Sequence, residues 1–430
     1  MKRTDTSSIS SPTIKKKKDM EGGQITTKGK DNNMSDQQQQ VVQNITTSSP
    51  THEEEEDYSS YKTIEEFGYR YNDKGQLRSI KDDSTFKFVT QEHYDALGDV
   101  VATTIQKMMT QEPYHLIELQ IPEDNIEGVD PTKPHTNIFL SDDFYANEER
   151  LLIIICGSGR VVAGQWARSI CINDTLGKGT IFEYLEQAKK NNFSFIILNP
   201  NQTRGEYIGK NGKPKMGSVP GSETPYNHVQ YVYDHYIVKS KAKAITIIAH
   251  SFGGQLTMHI LESRPKIMDK LKAIGLTDSV HSHSVLRRSN VESDSEDDDD
   301  DNEQNTQYKY TKAQKVENNK KVLKFISNNC INWVASKQPV GQDLGFSTYQ
   351  SCQHRSSGHT KHEYTSSSYV LHLTETPIIY LFIYSFKSRS KNMLLALRIV
   401  CSILPALFTL LLSAFMINSF VLVENLIHIF

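Results

Sequence analysis

The apolar run Ala244-Ile-Thr-Ile-Ile-Ala249 leads directly into His250-Ser251-Phe252-Gly253-Gly254, and then into the helix-like Gln255-Leu-Thr-Met-His-Ile-Leu. A serine set between a strand and a helix, with small residues two before and two after it, has the pattern of a nucleophile elbow. Here Ala249 stands at the first small position and Gly253 at the second. The requirement is steric, because the turn is tight and strained. It lifts the Ser251 hydroxyl above the sheet and directs the N-terminal dipole of the following helix at the site. The chemistry implied is attack on an acyl carbon, which also needs a base and a site for the developing oxyanion.

Residues 151–155 end in Cys156-Gly157-Ser158-Gly159. Backbone N–H groups of such a glycine loop, that of Gly157 together with that of Phe252, can hold an oxyanion. The competing reading is a phosphate loop, but no Gly-Lys-Ser/Thr follows. The acid and the histidine should come after the serine. Asp278 ends the run Ala273-Ile-Gly-Leu-Thr277, at the carboxyl edge where α/β sites lie, and is favoured. Asp343 is the second candidate. For the base, His359 and His362 lie in Ser357-Gly-His-Thr-Lys-His-Glu-Tyr364, beyond the expected last sheet strand at residues 331–335. Spacing alone does not choose between them. His281 and His283 are too close to Asp278 in sequence to partner it, and His250 points into the elbow.

The elements that must carry these residues are legible as a pattern. Residues 151–155, 195–198, 244–249 and 273–276 are short continuous apolar runs, separated by helix-like stretches at 181–190, 229–238 and 255–262. Buried strands alternating with helices predict crossover units and a mainly parallel sheet with helices on both faces. Upstream, Tyr94, Leu97, Val101, Ile105 and Met108 mark one face of an amphipathic helix, and Ile117, Leu119 and Ile121 alternate as in a half-buried strand. A further helix is expected at 314–328. Insertions are expected at 202–224, rich in Gly, Pro and Lys, and at 287–310, which holds the acidic run from Glu292 to Asp301. The acidic run is expected to act as a solvated spacer.

Of 430 residues 37% are hydrophobic, low for a large folded domain, and the net charge is −3. That charge excludes a generally basic nucleic-acid binder, and direct sequence-specific nucleic-acid binding is not expected. The five cysteines (156, 171, 330, 352 and 401) are dispersed, which excludes a disulfide scaffold and any metal site recognisable from spacing. Reduced thiols in a cytosolic or nuclear protein follow. No cofactor fingerprint is present. Residues 1–58 form a low-complexity tail without a secretory signal pattern. Its lysines at 15–18 read either as a solvated charge run in a tail or as a nuclear-import patch.

Several blocks together carry a family resemblance: Glu66-Phe-Gly-Tyr, Gly75-Gln-Leu-Arg, Tyr94-Asp-Ala-Leu-Gly, Gly157-Ser-Gly, Gly164-Gln-Trp-Ala-Arg168 and Leu198-Asn-Pro-Asn201. They continue with Tyr233-Asp-His-Tyr, Ala249-His-Ser-Phe-Gly-Gly, Leu276-Thr-Asp-Ser-Val-His281, Asn332-Trp-Val and His362-Glu. In this order they resemble the Argonaute-binding (Arb-type) domain family, which includes the animal cotranscriptional regulators. The resemblance spans a domain of residues 59–375. It implies an α/β-hydrolase-like fold and an Argonaute protein as partner in small-RNA-directed heterochromatin formation and nuclear RNA processing. It also implies Ser251, Asp278 and His362 as the triad. Members usually carry histidine before Gly-Ser-Gly, where this chain has Cys156. Backbone donors survive that change, but proton handling by the side chain does not. Trp166 and Arg168 are left as pocket-lining or loop-anchoring residues.

The resemblance stops near residue 375, where composition reverses. Residues 399–423 contain no charged side chain, enough to cross ~30 Å of hydrocarbon, and Lys387, Arg389, Lys391 and Arg398 precede them. The expectation for 376–430 is a tail anchor in the endoplasmic reticulum or nuclear envelope, against a buried terminal helix or a spurious C-terminal sequence from a mispredicted gene. The functional expectation is a nuclear and cytoplasmic Argonaute-binding adaptor; the alternative is an active esterase-like serine hydrolase held at a membrane.

Overall fold

The structure, a computed structural model, describes residues 57–122, 130–282 and 310–367. Nearly all of the low-complexity tail and of the acidic insertion, all of the tail 376–430 and its predicted span 399–423, and His283 lie outside the described residues. Among the described residues no helix is long and apolar enough to cross a membrane.

A small antiparallel pair, β1 (Tyr69–Tyr71) and β2 (Leu77–Ser79), precedes helix α1 (Gln91–Thr110). The main sheet is then built from β3 (Ile117–Ile121), β4 (Thr136–Leu140), β5 (Arg150–Ile155), β6 (Phe193–Ile197), β9 (Ala244–His250), β10 (Leu271–Thr277), β11 (Cys330–Val334), β12 (Asp343–Ser347) and β13 (Cys352–Ser356). A separate hairpin, β7 (Arg204–Ile208) and β8 (Pro214–Ser218), occupies the Gly/Pro/Lys-rich insertion. The helices between are α2 (Arg168–Asn173), α3 (Leu176–Gly179), α4 (Phe182–Lys190), α5 (Pro225–His235), α6 (Phe252–Ser263) and α7 (Lys312–Asn329).

Strand order in the main sheet is β12-β13-β11-β10-β9-β5-β6-β4-β3. The six strands from β13 to β6 run parallel, while β12 and β4 pair antiparallel with their neighbours. A parallel sheet whose central strand β9 ends in the serine turn is an α/β-hydrolase-like arrangement.

Alternation along the strands divides the core. Leu151, Ile153 and Ile155 of β5 join Val229 and Val232 of α5, Leu256 and Ile260 of α6, and Val322 and Ile326 of α7 on one face. Leu152 and Ile154 join Leu97, Val101 and Ile105 of α1 and Tyr184 and Leu185 of α4 on the other. Strands buried on both faces read as continuous apolar runs for this reason. The sheet does not end at β11, however. The sequences Asp-Leu-Gly-Phe-Ser and Cys-Gln-His-Arg-Ser carry neither an apolar run nor clean alternation, so β12 and β13 escape pattern recognition. Ladder pairing makes them strands.

Candidate active site

Ser251 occupies the one-residue turn between β9 and α6 with φ +51° and ψ −119°, a region that costs a non-glycine residue of order 1–3 kcal/mol. Neighbouring chain holds it there. Ser251 N–H donates to Thr277 O at 3.0 Å, and the N–H of Val280 donates to Ser251 O at 3.2 Å. The glycines are needed for approach. A Cβ on Gly253 would lie 2.7 Å from the carbonyl oxygens of Ile155 and Cys156, and one on Gly254 would lie 1.8 Å from Ser279 Oγ.

Asp278, just past β10, also has positive φ, +45°. Its N–H donates to Trp333 O at 2.7 Å, and its Oδ1 accepts from Ala335 N–H at 3.3 Å, so β11 sets its direction. Its Oδ2 lies 2.6 Å from His362 Nδ1. Burial pushes the Asp278 carboxyl up, but the His362 hydrogen bond and nearby positive charge outweigh it and hold the group below the usual carboxylate range. His362 sits in a single 3₁₀ turn, His362–Tyr364, after β13, and its side chain is 44% exposed. Its ring centre is 4.7 Å from that of His250. Asp278 and His362 are therefore brought together at the elbow. Among the described residues no hydrogen bond joins Ser251 to His362, a contact that is commonly long before a substrate binds.

His250 is buried, with Nδ1 3.0 Å from Thr277 O and 3.1 Å from Ser366 Oγ. A carbonyl only accepts, so Nδ1 carries the proton. Burial, reinforced by His362, pushes its pKa down to about 4, keeping it a neutral neighbour.

The remaining candidates lie elsewhere. Asp343 is exposed on the edge strand β12, where its Oδ1 accepts from Gly345 N–H at 2.8 Å. His359 uses its carbonyl to accept from Ser336 N–H, and its ring packs near Tyr364. His281 is buried between Ser279 Oγ at 2.7 Å and Gln350 O at 3.0 Å.

Gly157 follows β5 and faces the elbow, since a Cβ there would meet Ser251 Cβ at 3.1 Å. Phe252 begins α6, where the first amides of a helix lack intrahelical acceptors. Cys156 is buried, and burial pushes its thiol up to about 12, so it offers no thiolate. Trp166 and Arg168 are buried, and Trp166 packs edge-on to His250 of the elbow at 6.2 Å. Trp166 also packs edge-on to Tyr184 at 5.1 Å, and Arg168 crosses α1 to donate to Tyr94 O at 2.9 Å. The absent side chain of Gly98 makes room for that guanidinium. Sequence reasoning assigned no role to Ser366 or to Asn201, whose partners come from distant segments. Among the described residues no group of three or more His, Cys, Asp or Glu could hold a metal ion. Four cysteines there, 156, 171, 330 and 352, are buried free thiols.

An Arb2 domain matches residues 60–293. The chain is 41% identical to the cotranscriptional regulator ARB2A homolog of Dictyostelium discoideum, over 72% of this chain and 78% of that protein. It is 27% identical to human cotranscriptional regulator ARB2A, over 71% of this chain and 77% of that protein. Among solved structures it is similar to the histone deacetylase Clr3, with 14% identity and a TM-score of 0.35, covering 70% of this chain and 46% of that one.

Proposed function

Because the chain belongs to the Arb2 domain family, we propose that it is a nuclear regulator acting during transcription, and that it works as an adaptor on an α/β-hydrolase-like scaffold. The observation that carries this reading is the 41% identity, across 72% of the chain, to a relative named a cotranscriptional regulator homolog. An Argonaute protein is the partner proposed, with small-RNA-directed heterochromatin formation and RNA processing as the setting. The nucleus is then the main location, and residues 399–423 would add a membrane anchor. Affinity capture of the full chain from nuclear extract tests it. Argonaute should co-purify, and Ser251→Ala should leave its recovery unchanged. Capture without Argonaute, under conditions that retain other partners, would refute the adaptor reading.

A second reading, an active serine hydrolase on an ester or similar acyl substrate, is favoured by the 2.6 Å contact between Asp278 and His362 beside a strained serine. In it, Ser251 Oγ attacks the acyl carbon while His362 Nε2 takes the hydroxyl proton. Asp278 Oδ2 accepts from Nδ1–H and stabilises the imidazolium. The Gly157 and Phe252 amides receive the oxyanion. His362 then protonates the departing alcohol as the carbon–oxygen bond breaks, and water repeats the sequence to release the acid. A fluorophosphonate probe should label the wild type and spare Ser251→Ala. Equal labelling of both would end this reading. The two readings are compatible, since a scaffold can bind a partner and retain its site.

A further inference from the structure

The loop from Gly157 to Val161 has little of its own to fix it. Ser158, Gly159 and Arg160 are exposed, and Gly159 has φ +111°. One side chain ties its two ends. Asn201 Nδ2 donates to Gly157 O at 2.7 Å and to Val161 O at 2.9 Å, with Cys156 Sγ 3.6 Å away. Both hydrogens of the carboxamide are used, each on a carbonyl from one limb of the turn. Asn199, two residues earlier, accepts from Ala163 N–H through Oδ1 at 3.0 Å, so the segment after β6 holds the loop at a third point. Arg160 tethers the tip to α1 through Asp95 at 2.7 Å and Asp99 at 2.8 Å.

We propose that Asn201 is a positioning residue that orients the backbone amides beside Gly157 toward the oxyanion formed at Ser251. A peptide unit is planar, so fixing the Gly157 carbonyl fixes the direction of the Ser158 N–H across that unit, and the Gly157 N–H in the preceding unit is then held between this fixed plane and the end of β5. Oxyanion stabilisation depends on donors already aimed before charge develops, and glycine-flanked backbone would otherwise spread over many orientations. Asparagine suits the task because it presents two donors on one rigid amide. Aspartate has the same shape and no donor. The inference rests on the hydrolase reading.

The test measures hydrolysis of a short-chain aryl ester and the rate of fluorophosphonate labelling for wild type, Asn201→Ala and Asn201→Asp. As a control it includes Asp234→Ala, which breaks a remote ion pair between α5 and the end of α6. Both Asn201 variants should lose about 10–100-fold in kcat with KM within about twofold, as expected when only transition-state contacts are weakened. Asp234→Ala should lower the melting temperature without that loss. A kcat within about threefold of wild type in Asn201→Asp would overturn the inference, as would an equal kcat loss in Asp234→Ala. If Asn201→Ala fails to fold, the near-isosteric Asn201→Asp decides. A wild type that neither labels at Ser251 nor turns over ester removes the hydrolase reading and this inference with it. A labelled wild type matched by both Asn201 variants removes the inference alone.

Discussion

Replacing Asp278 by asparagine is the sharpest perturbation of the site, because it changes one atom and leaves the side-chain shape intact. In the wild type, Oδ1 accepts from Ala335 N–H and Oδ2 faces His362 Nδ1 at 2.6 Å. A carboxylate only accepts, so it selects the tautomer with the proton on Nδ1 and leaves Nε2 free as a base. Asparagine can keep the Ala335 bond through its carbonyl. Its amide N–H then faces Nδ1, which pushes the ring proton to Nε2 and removes the base. Where such an acid is fully buried, this loss is about 10⁴-fold, or ~5.5 kcal/mol. Here the His362 side chain is 44% exposed, so water partly replaces the carboxylate in stabilising the imidazolium. The expected loss is therefore smaller, about 10²–10³-fold, or ~3–4 kcal/mol. The assay is the second-order rate of fluorophosphonate labelling, with thermal melting run in parallel. A rate within threefold of the wild type, with Ser251 still the labelled residue, would refute the assignment of Asp278 and His362 as one unit.

Three further outcomes follow from packing and charge. Burial holds His228 at a pKa of about 3 and His250 and His259 at about 4, all below the ordinary 6.5, so the unfolded chain takes up protons first as pH falls. Stability should be full above about pH 6.5 and decline toward pH 4 by up to ~4 kcal/mol per pH unit for three groups; a flat urea midpoint from pH 7 to 5 would contradict this. Gly254→Ala drives a Cβ to within 1.8 Å of Ser279 Oγ and should cost about 1–3 kcal/mol in urea unfolding, with slower Ser251 labelling because Asp278 is adjacent. Asp234→Ala removes the carboxylate that pairs with the buried Arg264 guanidinium at 2.7 and 2.8 Å, while Ser263 O still accepts from its Nη1 at 3.0 Å, and should cost about 3–5 kcal/mol; a loss under 1 kcal/mol would show that the pair is not isolated from water.

The parts legible from sequence are those whose physics is local. Continuous apolar runs mark β5, β6, β9 and β10 because both faces of each strand are covered, and the elbow is legible because steric demand restricts residues at fixed offsets. Asp278 is legible from its place past a strand end. The choice between His359 and His362 is not a matter of spacing. It depends on a 3₁₀ turn that follows β13, and β13 itself, Cys-Gln-His-Arg-Ser, is a strand through its ladders with β11 and β12. Asn201 is harder still, since its partners at 157 and 161 lie some forty residues upstream. Ser366, which meets Thr277 Oγ1 at 2.8 Å, bonds across 89 positions. No periodicity carries such information.

Geometry also bears on whether adaptor and hydrolase are rival readings. Left-handed backbone at Ser251 and Asp278 costs of order 1–3 kcal/mol at each residue. Yet the chain holds both, with Thr277 O receiving the Ser251 N–H and Trp333 O receiving the Asp278 N–H. Gly253 and Gly254 are needed at close approaches that any Cβ would block. Such an arrangement lowers folding stability whether or not a ligand is bound, and it holds the serine, the carboxylate and the imidazole in fixed places. The strained turn beside the His362 contact is what the proposed hydrolase reading uses, and ligand engagement at Ser251, by acyl transfer or by capture of an acyl-like group, is compatible with the proposed adaptor role.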